Sequence, residues 1–197
     1  MKNTFLTADT HFSHYNIIRH CNRPWSKEEH DEALITRWND VVKKGDLVYH
    51  LGDFAMIKEN ECPVGTTRMK LYRKLRMRLN GKIILIRGNH DQMSQEIYNE
   101  CFSEVYDLKE VSIDGTSIVL CHFPMRSWNR SFHGGPHAFG HVHGRLEKFD
   151  TGVSCDAGID VPDWNYAPAP WDIIKTKLLK KYNDFTVRYK DTKEGLT

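Results

Sequence analysis

Ile83-Ile84-Leu85-Ile86-Arg87-Gly88-Asn89-His90-Asp91 is the stretch that decides the fold. A strongly β-branched run reads as a strand. It stops at a glycine, and three polar side chains follow that can bind metal or move a proton. The same pattern lies on either side. Phe5-Leu6-Thr7-Ala8 is a short apolar run that ends at Asp9, with His11 beyond it. Leu47-Val48-Tyr49-His50-Leu51 ends at Gly52-Asp53, where His50 reads as packing within its strand. Ser117-Ile118-Val119-Leu120 ends at Cys121-His122, and Ala138-Phe139 leads into Gly140-His141-Val142-His143. In α/β folds, sites form at the carboxyl ends of strands. Five polar clusters at five strand ends can therefore meet at one place.

Helices separate these strands. Ser26 with Glu29 forms a capping box ahead of Leu34, Trp38 and Val41, which predicts a helix over roughly 27–43. A second helix is expected over 67–79, stopped by Asn80-Gly81, and a third over 94–102. Asp114-Gly115 between two apolar runs predicts a hairpin. Pro170 precedes a last helix with Trp171, Ile174, Leu178 and Tyr182 on one face. Phe185-Thr186-Val187-Arg188-Tyr189 reads as a final edge strand. Without repeats or Gly/Ser linkers, one domain over 1–197 is the expectation.

Composition excludes several classes. The 197 residues are 40% hydrophobic and 27% charged, as in ordinary globular proteins. No apolar stretch is long enough to cross a membrane, and the N-terminus reaches Asp9 and His11 too early for a signal peptide. A cytoplasmic protein is expected. A net charge of +2 does not by itself indicate nucleic acid. Five scattered cysteines without Cys-x-x-Cys read as reduced thiols. Eleven histidines gather around Asp, Asn and Gly.

The donor set is Asp9, His11, Asp53, Asn89, His122, His141 and His143. Nitrogen and oxygen donors without thiolate suit Mn²⁺, Fe or Zn²⁺ better than a structural zinc site. Seven side chains are too many for one ion and suit two if a carboxylate bridges. Alternation along a strand would aim both members of Asp9-Thr10-His11, and of His141-Val142-His143, to one side.

Taken in order, Asp9-Thr10-His11, Gly52-Asp53, Gly88-Asn89-His90-Asp91, His122 and Gly140-His141-Val142-His143 resemble the calcineurin-like metallophosphoesterase superfamily. The opening Asp9-Thr10-His11-Phe12-Ser13-His14, with Asn16-Ile17-Ile18 and Arg23-Pro24, further resembles a group of small bacterial and phage phosphoesterases. The resemblance implies an α/β fold of two mixed β-sheets packed as a sandwich with flanking helices. It implies that Asp9, His11 and His143 hold one divalent metal, that Asn89, His122 and His141 hold the other, and that Asp53 bridges them. Manganese is the first expectation, with Fe, Zn or Ni as substitutes. It also implies that His90 is the catalytic acid and that Asp91 orients its imidazole. The implied reaction is in-line attack of a metal-bridging hydroxide on a phosphodiester or phosphomonoester, nucleotide-like or otherwise small.

The protein Ser/Thr phosphatases of the superfamily carry Asp-Arg-Gly and Asn-His-Glu segments. Phe54-Ala55 and Asp91 stand in those places here and argue against that activity. The repair nucleases carry further domains, for which 144–197 leaves little room. A nuclease on DNA or RNA and a catalytically silent scaffold are the alternatives, and a silent scaffold should lack a ligand. His14, Arg23, Arg126, Trp128 and Asn129 are candidate substrate contacts, either arginine as a phosphate clamp and Trp128 against a base. The bland reading of 123–139, which also holds His133 and His137, is a polar surface loop. The basic helix 67–79 reads as a solvated face or a nucleic-acid face, and Asp160 as a loop carboxylate or part of the pocket.

Overall fold

The computed structural model describes residues 2–146 and 152–194. Two mixed sheets pack face to face. The first holds β1 (Thr4–Thr7), β2 (Leu47–His50), β3 (Lys82–Ile86), β4 (Glu104–Tyr106) and β9 (Ala169–Pro170), in the order β4-β3-β2-β1-β9. β1 to β4 run parallel, and β9 is antiparallel to β1. The second sheet holds β5 (Leu108–Ile113), β6 (Thr116–Cys121), β7 (His137–Phe139) and β8 (Ser154–Asp156) in sequential order. Only β5 and β6 are antiparallel there.

Strand alternation divides the core in two. Phe5, Val48, Ile83 and Leu85 face outward against α2 (Lys27–Val41), α3 (Arg68–Arg78) and α4 (Gln95–Cys101). Leu6, Tyr49, Leu51, Ile84 and Ile86 face inward and meet Ile118, Leu120, Ala138 and Cys155 of the second sheet. The capping box at Ser26 is present, and Thr67 and Ser94 cap the next two helices. The hairpin turns through Asp114 (φ 46°) and Gly115 (φ 76°), the pair of left-handed residues that such a tight turn requires.

The expected edge strand at 185–189 is corrected. α5 runs without interruption over Trp171–Glu194. Phe185 extends the stripe of Trp171, Ile174, Leu178 and Tyr182 at helical spacing and packs on the same inter-sheet core, so burial favours continuing the helix. The short α1 (Asn16–His20), β4, β8 and β9 were not anticipated.

The basic face of α3 is mostly solvated, with Arg76 tied into the fold. Arg76 donates to the carbonyls of Leu79, Gly81 and Cys101. Arg78 pairs with Glu32, and Arg73 with Glu100. No helix among the described residues is long and apolar enough to cross a membrane.

Candidate metal centre

The carboxyl ends of β1, β2, β3, β6 and β7 converge, as the strand-end pattern predicts. The mechanism of convergence differs from strand alternation. Each of these strands stops before its ligands, and Asp9 (φ 58°), His11 (51°), Asp53 (56°), His141 (72°) and His143 (51°) all take the left-handed conformation. Residues with a Cβ rarely do so, and each such residue costs about 1–3 kcal/mol. The loops are held there by continued pairing. Asp9 and His11 donate backbone N–H bonds to Gly52 and Asp53 carbonyls at 2.9 Å, and Phe12 to Phe54 at 3.0 Å. The N–H of His141 donates to both oxygens of Asp9, which joins the second sheet to the first. Gly52 (φ 93°) leaves no room for a side chain, since a Cβ would lie 2.6 Å from His122 Nδ1.

Two trios of donors result. The ligand atoms of Asp9, His11 and His143 lie within 4.8 Å of one another, as do those of Asp53, His122 and His141. Asn89 joins the second trio, with its Oδ1 3.1 Å from His122 Nε2 and 3.0 Å from His141 Nδ1. Asp53 lies between them, its Oδ2 3.4 Å from His11 Nε2 and 3.6 Å from His122 Nε2.

The chemistry of these atoms fits a metal. His122 Nδ1 donates to the Leu51 carbonyl at 2.7 Å, so its Nε2 is bare and faces the Asn89 oxygen. A nitrogen lone pair and an amide oxygen turned toward each other suit a shared cation. His11 Nε2 is buried with no hydrogen-bond partner among the described residues. Burial holds His11, His14, His122 and His141 below the usual histidine range, which favours the neutral imidazole that binds metal. Burial, then the charges of Asp156 and Asp53, pushes Asp9 well above the usual carboxylate range. A bound cation would relieve that repulsion.

His90 lines the rim. Its backbone N–H donates to Asp53 Oδ1 at 2.9 Å, and its ring stands 5.4 Å from that of His11 and 5.5 Å from that of His14. His14 thus belongs to the site, its Nδ1 3.1 Å from His11 Nδ1. Asp91 does not orient His90. Its carboxylate accepts from the backbone N–H groups of Asp53, Phe54 and Gly88, at 2.7 to 2.9 Å, and so fixes the two ligand loops. Burial pushes its carboxyl up to about 7, against those three donors.

Of the expected substrate contacts, Arg23 is corrected. Its side chain is fully buried and its guanidinium is engaged by Asp160, His30 and two backbone carbonyls, which leaves it no phosphate to clamp. Trp128 and Asn129 are corrected too. Trp128 covers the outer face of the second sheet at His137, the opposite end of β7 from His141, and donates to the Gly135 carbonyl. Asn129 donates to Glu110 on β5. Arg126 is exposed and makes no hydrogen bond or ion pair among the described residues.

Phe123 and Asp156 were not singled out by the sequence, and Asp160, open there as a loop carboxylate or part of the pocket, stands beside a candidate ligand. Phe123 stacks edge-on against His122 and His141, with ring centroids 4.9 and 4.8 Å away. Asp160 Oδ2 accepts from His143 Nδ1 at 2.7 Å, and Asp156 fixes the backbone N–H groups of Gly144 and Gly158. Phe123 directly follows a ligand, a signal that was available. Cys21 also lies near His143 and Asp160. Burial and then Asp160 push its thiol up to about 12, so without a metal it is a thiol.

A cleft of about 260 Å³ opens beside His90, lined in part by Lys58, Arg68, Tyr72 and Gln92. The larger groove between α2 and α3, about 640 Å³, contains none of the seven donors.

The family model described as calcineurin-like phosphoesterase matches residues 3–185. The chain is 34% identical over 193 residues to the uncharacterized protein MJ1445 of Methanocaldococcus jannaschii, covering 93% of this chain and 98% of that one. It is 30% identical to the gene 66 protein of Mycobacterium phage D29, over 74% of this chain and 81% of the phage protein. The solved structure of AQ665 from Aquifex aeolicus, a protein described as of unknown function, superposes with a TM-score of 0.68 at 26% identity. The match covers 89% of this chain and 99% of that one.

Proposed function

The chain belongs to the calcineurin-like phosphoesterase family of metal-dependent phosphoric ester hydrolases, and from that premise we propose a dinuclear enzyme acting on a small, nucleotide-like phosphodiester or phosphomonoester. The observation that carries this reading is the pair of donor trios on either side of Asp53. Asp9, His11 and His143 would hold one divalent ion, Asn89, His122 and His141 the other, and Asp53 both. When bound, such a pair supplies Lewis acidity to the phosphoryl oxygens and a water of lowered pKa.

The chain supplies the rest. His90, fixed through its backbone to Asp53, stands at the rim where a leaving oxygen would depart and donates the proton to it. The cleft beside His90 receives the leaving group. Its charged side chains, Lys58, Glu59 and Arg68, favour a leaving group that is polar. Phe123 offers an apolar ring next to His141 on the second-sheet side, and His14 reaches the substrate from the His11 side.

The test is to strip the purified protein of metal, restore Mn²⁺, and compare a chromogenic phosphodiester with the matching monoester. Turnover should return only with metal, and the preferred ester sets the class of natural substrate. Silence with Mn²⁺, Fe²⁺, Zn²⁺ and Ni²⁺ alike would overturn the reading in favour of a scaffold that binds without catalysis.

A further inference from the structure

We propose that Arg23 and Asp160 are positioning residues that assemble the first metal site, the one made by Asp9, His11 and His143. This rests on the dinuclear reading above. One guanidinium links to all three, to Asp9 directly and to His11 and His143 through Thr10 and Asp160. Its Nη2 donates to the Asp9 carbonyl at 2.7 Å and its Nη1 to the Thr10 carbonyl at 2.9 Å, so it grips the backbone of Asp9 and the residue before His11. Its Nε and Nη2 donate to the two oxygens of Asp160, each at 2.8 Å. Asp160 in turn accepts from His143 Nδ1 at 2.7 Å, which leaves His143 Nε2 bare for a metal.

The network continues outward with its directions fixed by chemistry. Arg23 Nη1 can only donate, so His30 Nε2, 2.9 Å away, accepts. His30 Nδ1 therefore donates to Asp31 at 2.8 Å. Asp31 accepts from the N–H and the hydroxyl of Ser13, which follows His11 in a left-handed turn of φ 61°. The loop carrying His11 is thus anchored on both sides.

A buried ion pair is an expensive way to fill space, and apolar residues of similar volume often stabilise as well. The Arg23 side chain is 0% exposed and that of Asp160 4%. What this pair supplies that an apolar pair would not is direction: the tautomer of His143 and the path of the chain through Asp9 and His11. The second site is held differently, by the Asp91 carboxylate on the backbone N–H groups of Asp53 and Gly88. His122 is oriented by one carbonyl, and Asn89 and His141 are exposed.

The test measures Mn²⁺ binding by titration calorimetry in two backgrounds. His141→Ala isolates the first site and His11→Ala the second. Adding Asp160→Asn should weaken the first site by about 10–100-fold and leave the second within about twofold. Arg23→Lys should act in the same way, because an ammonium keeps the charge but not the fork that joins Asp160 to two carbonyls. Equal weakening of both sites, or an unaltered first site, overturns the proposal, as does full rescue by Arg23→Lys. Thermal melting of the metal-free variants checks folding. Should Asp160→Asn fail to fold, Asp31→Asn replaces it, since that side chain is 23% exposed, and the loss must still be confined to the first site. If the unaltered protein binds fewer than two ions, the dinuclear reading itself fails, and that result is distinct from the others.

Discussion

Five of the seven metal-binding candidates have positive φ, and the concentration of strain there is the strongest residue-level mark of a functional centre. His90 is placed differently. It is half-buried at the rim and bonded through its backbone to Asp53, so its imidazole can be removed without removing a ligand. His90→Ala should therefore retain both ions by metal analysis. Its kcat should fall by about 10²–10⁴-fold on esters with alkoxide leaving groups, and far less when the leaving group is a nitrophenolate. Equal losses across leaving groups would remove His90 from the acid role. The donor identities were legible in the sequence because few residue types bind hard metals and their order was intact. What gathers them was not legible, since left-handed backbone at Asp9 or His141 leaves no trace in composition. Arg23 was misread for a related reason. Its partner Asp160 lies 137 positions away, and an arginine near a phosphate site looks the same whether it faces substrate or supports a ligand.

At the scale of elements, the strongly patterned segments formed where expected and the weakly patterned ones did not declare themselves. α2 carries its capping box, and β3 its apolar run. β8 has the sequence Ser154-Cys155-Asp156 and β9 only two residues, so neither can show a period, and both exist because an edge of a sheet was available. α3 illustrates how charge can mislead. Its six basic residues suggest a polyanion surface, yet Arg76 is tied to three carbonyls that end α3, the turn at Gly81 and α4. Arg76→Met should destabilise the protein by about 2–3 kcal/mol in urea denaturation, because it leaves those acceptors without their charged donor. Arg73→Met breaks only the exposed pair with Glu100 and should cost less than about 1 kcal/mol. Similar costs for the two would mean that Arg76 is no more structural than its neighbours.

At the scale of the whole molecule, the centre is where two sheets are joined. The His141 N–H on Asp9, the bridge between Ala8 and Gly158, and the His122 Nδ1 on the Leu51 carbonyl at 2.7 Å all lie at this seam. Asp9, Asp53 and Asp156 bring acidic charge to the same place, beside Asp160 paired with Arg23, and burial makes the Asp9 carboxylate costly. Cations bound at the seam would offset that repulsion and secure the left-handed loops, which would couple metal binding to folding. Stabilisation by mass action is about 2.7 kcal/mol per site at a hundredfold excess over Kd. For a chain of this size, one such site raises the melting temperature by about 5–10 °C. Calorimetric melting with Mn²⁺ and with a chelator should show that difference. His122→Ala should retain only part of the rise, and His122→Ala combined with His11→Ala should abolish it. An unchanged melting temperature on metal addition would mean that the loops are secured by the protein alone. The repulsion on Asp9 would then have to be relieved by a proton on its own carboxyl.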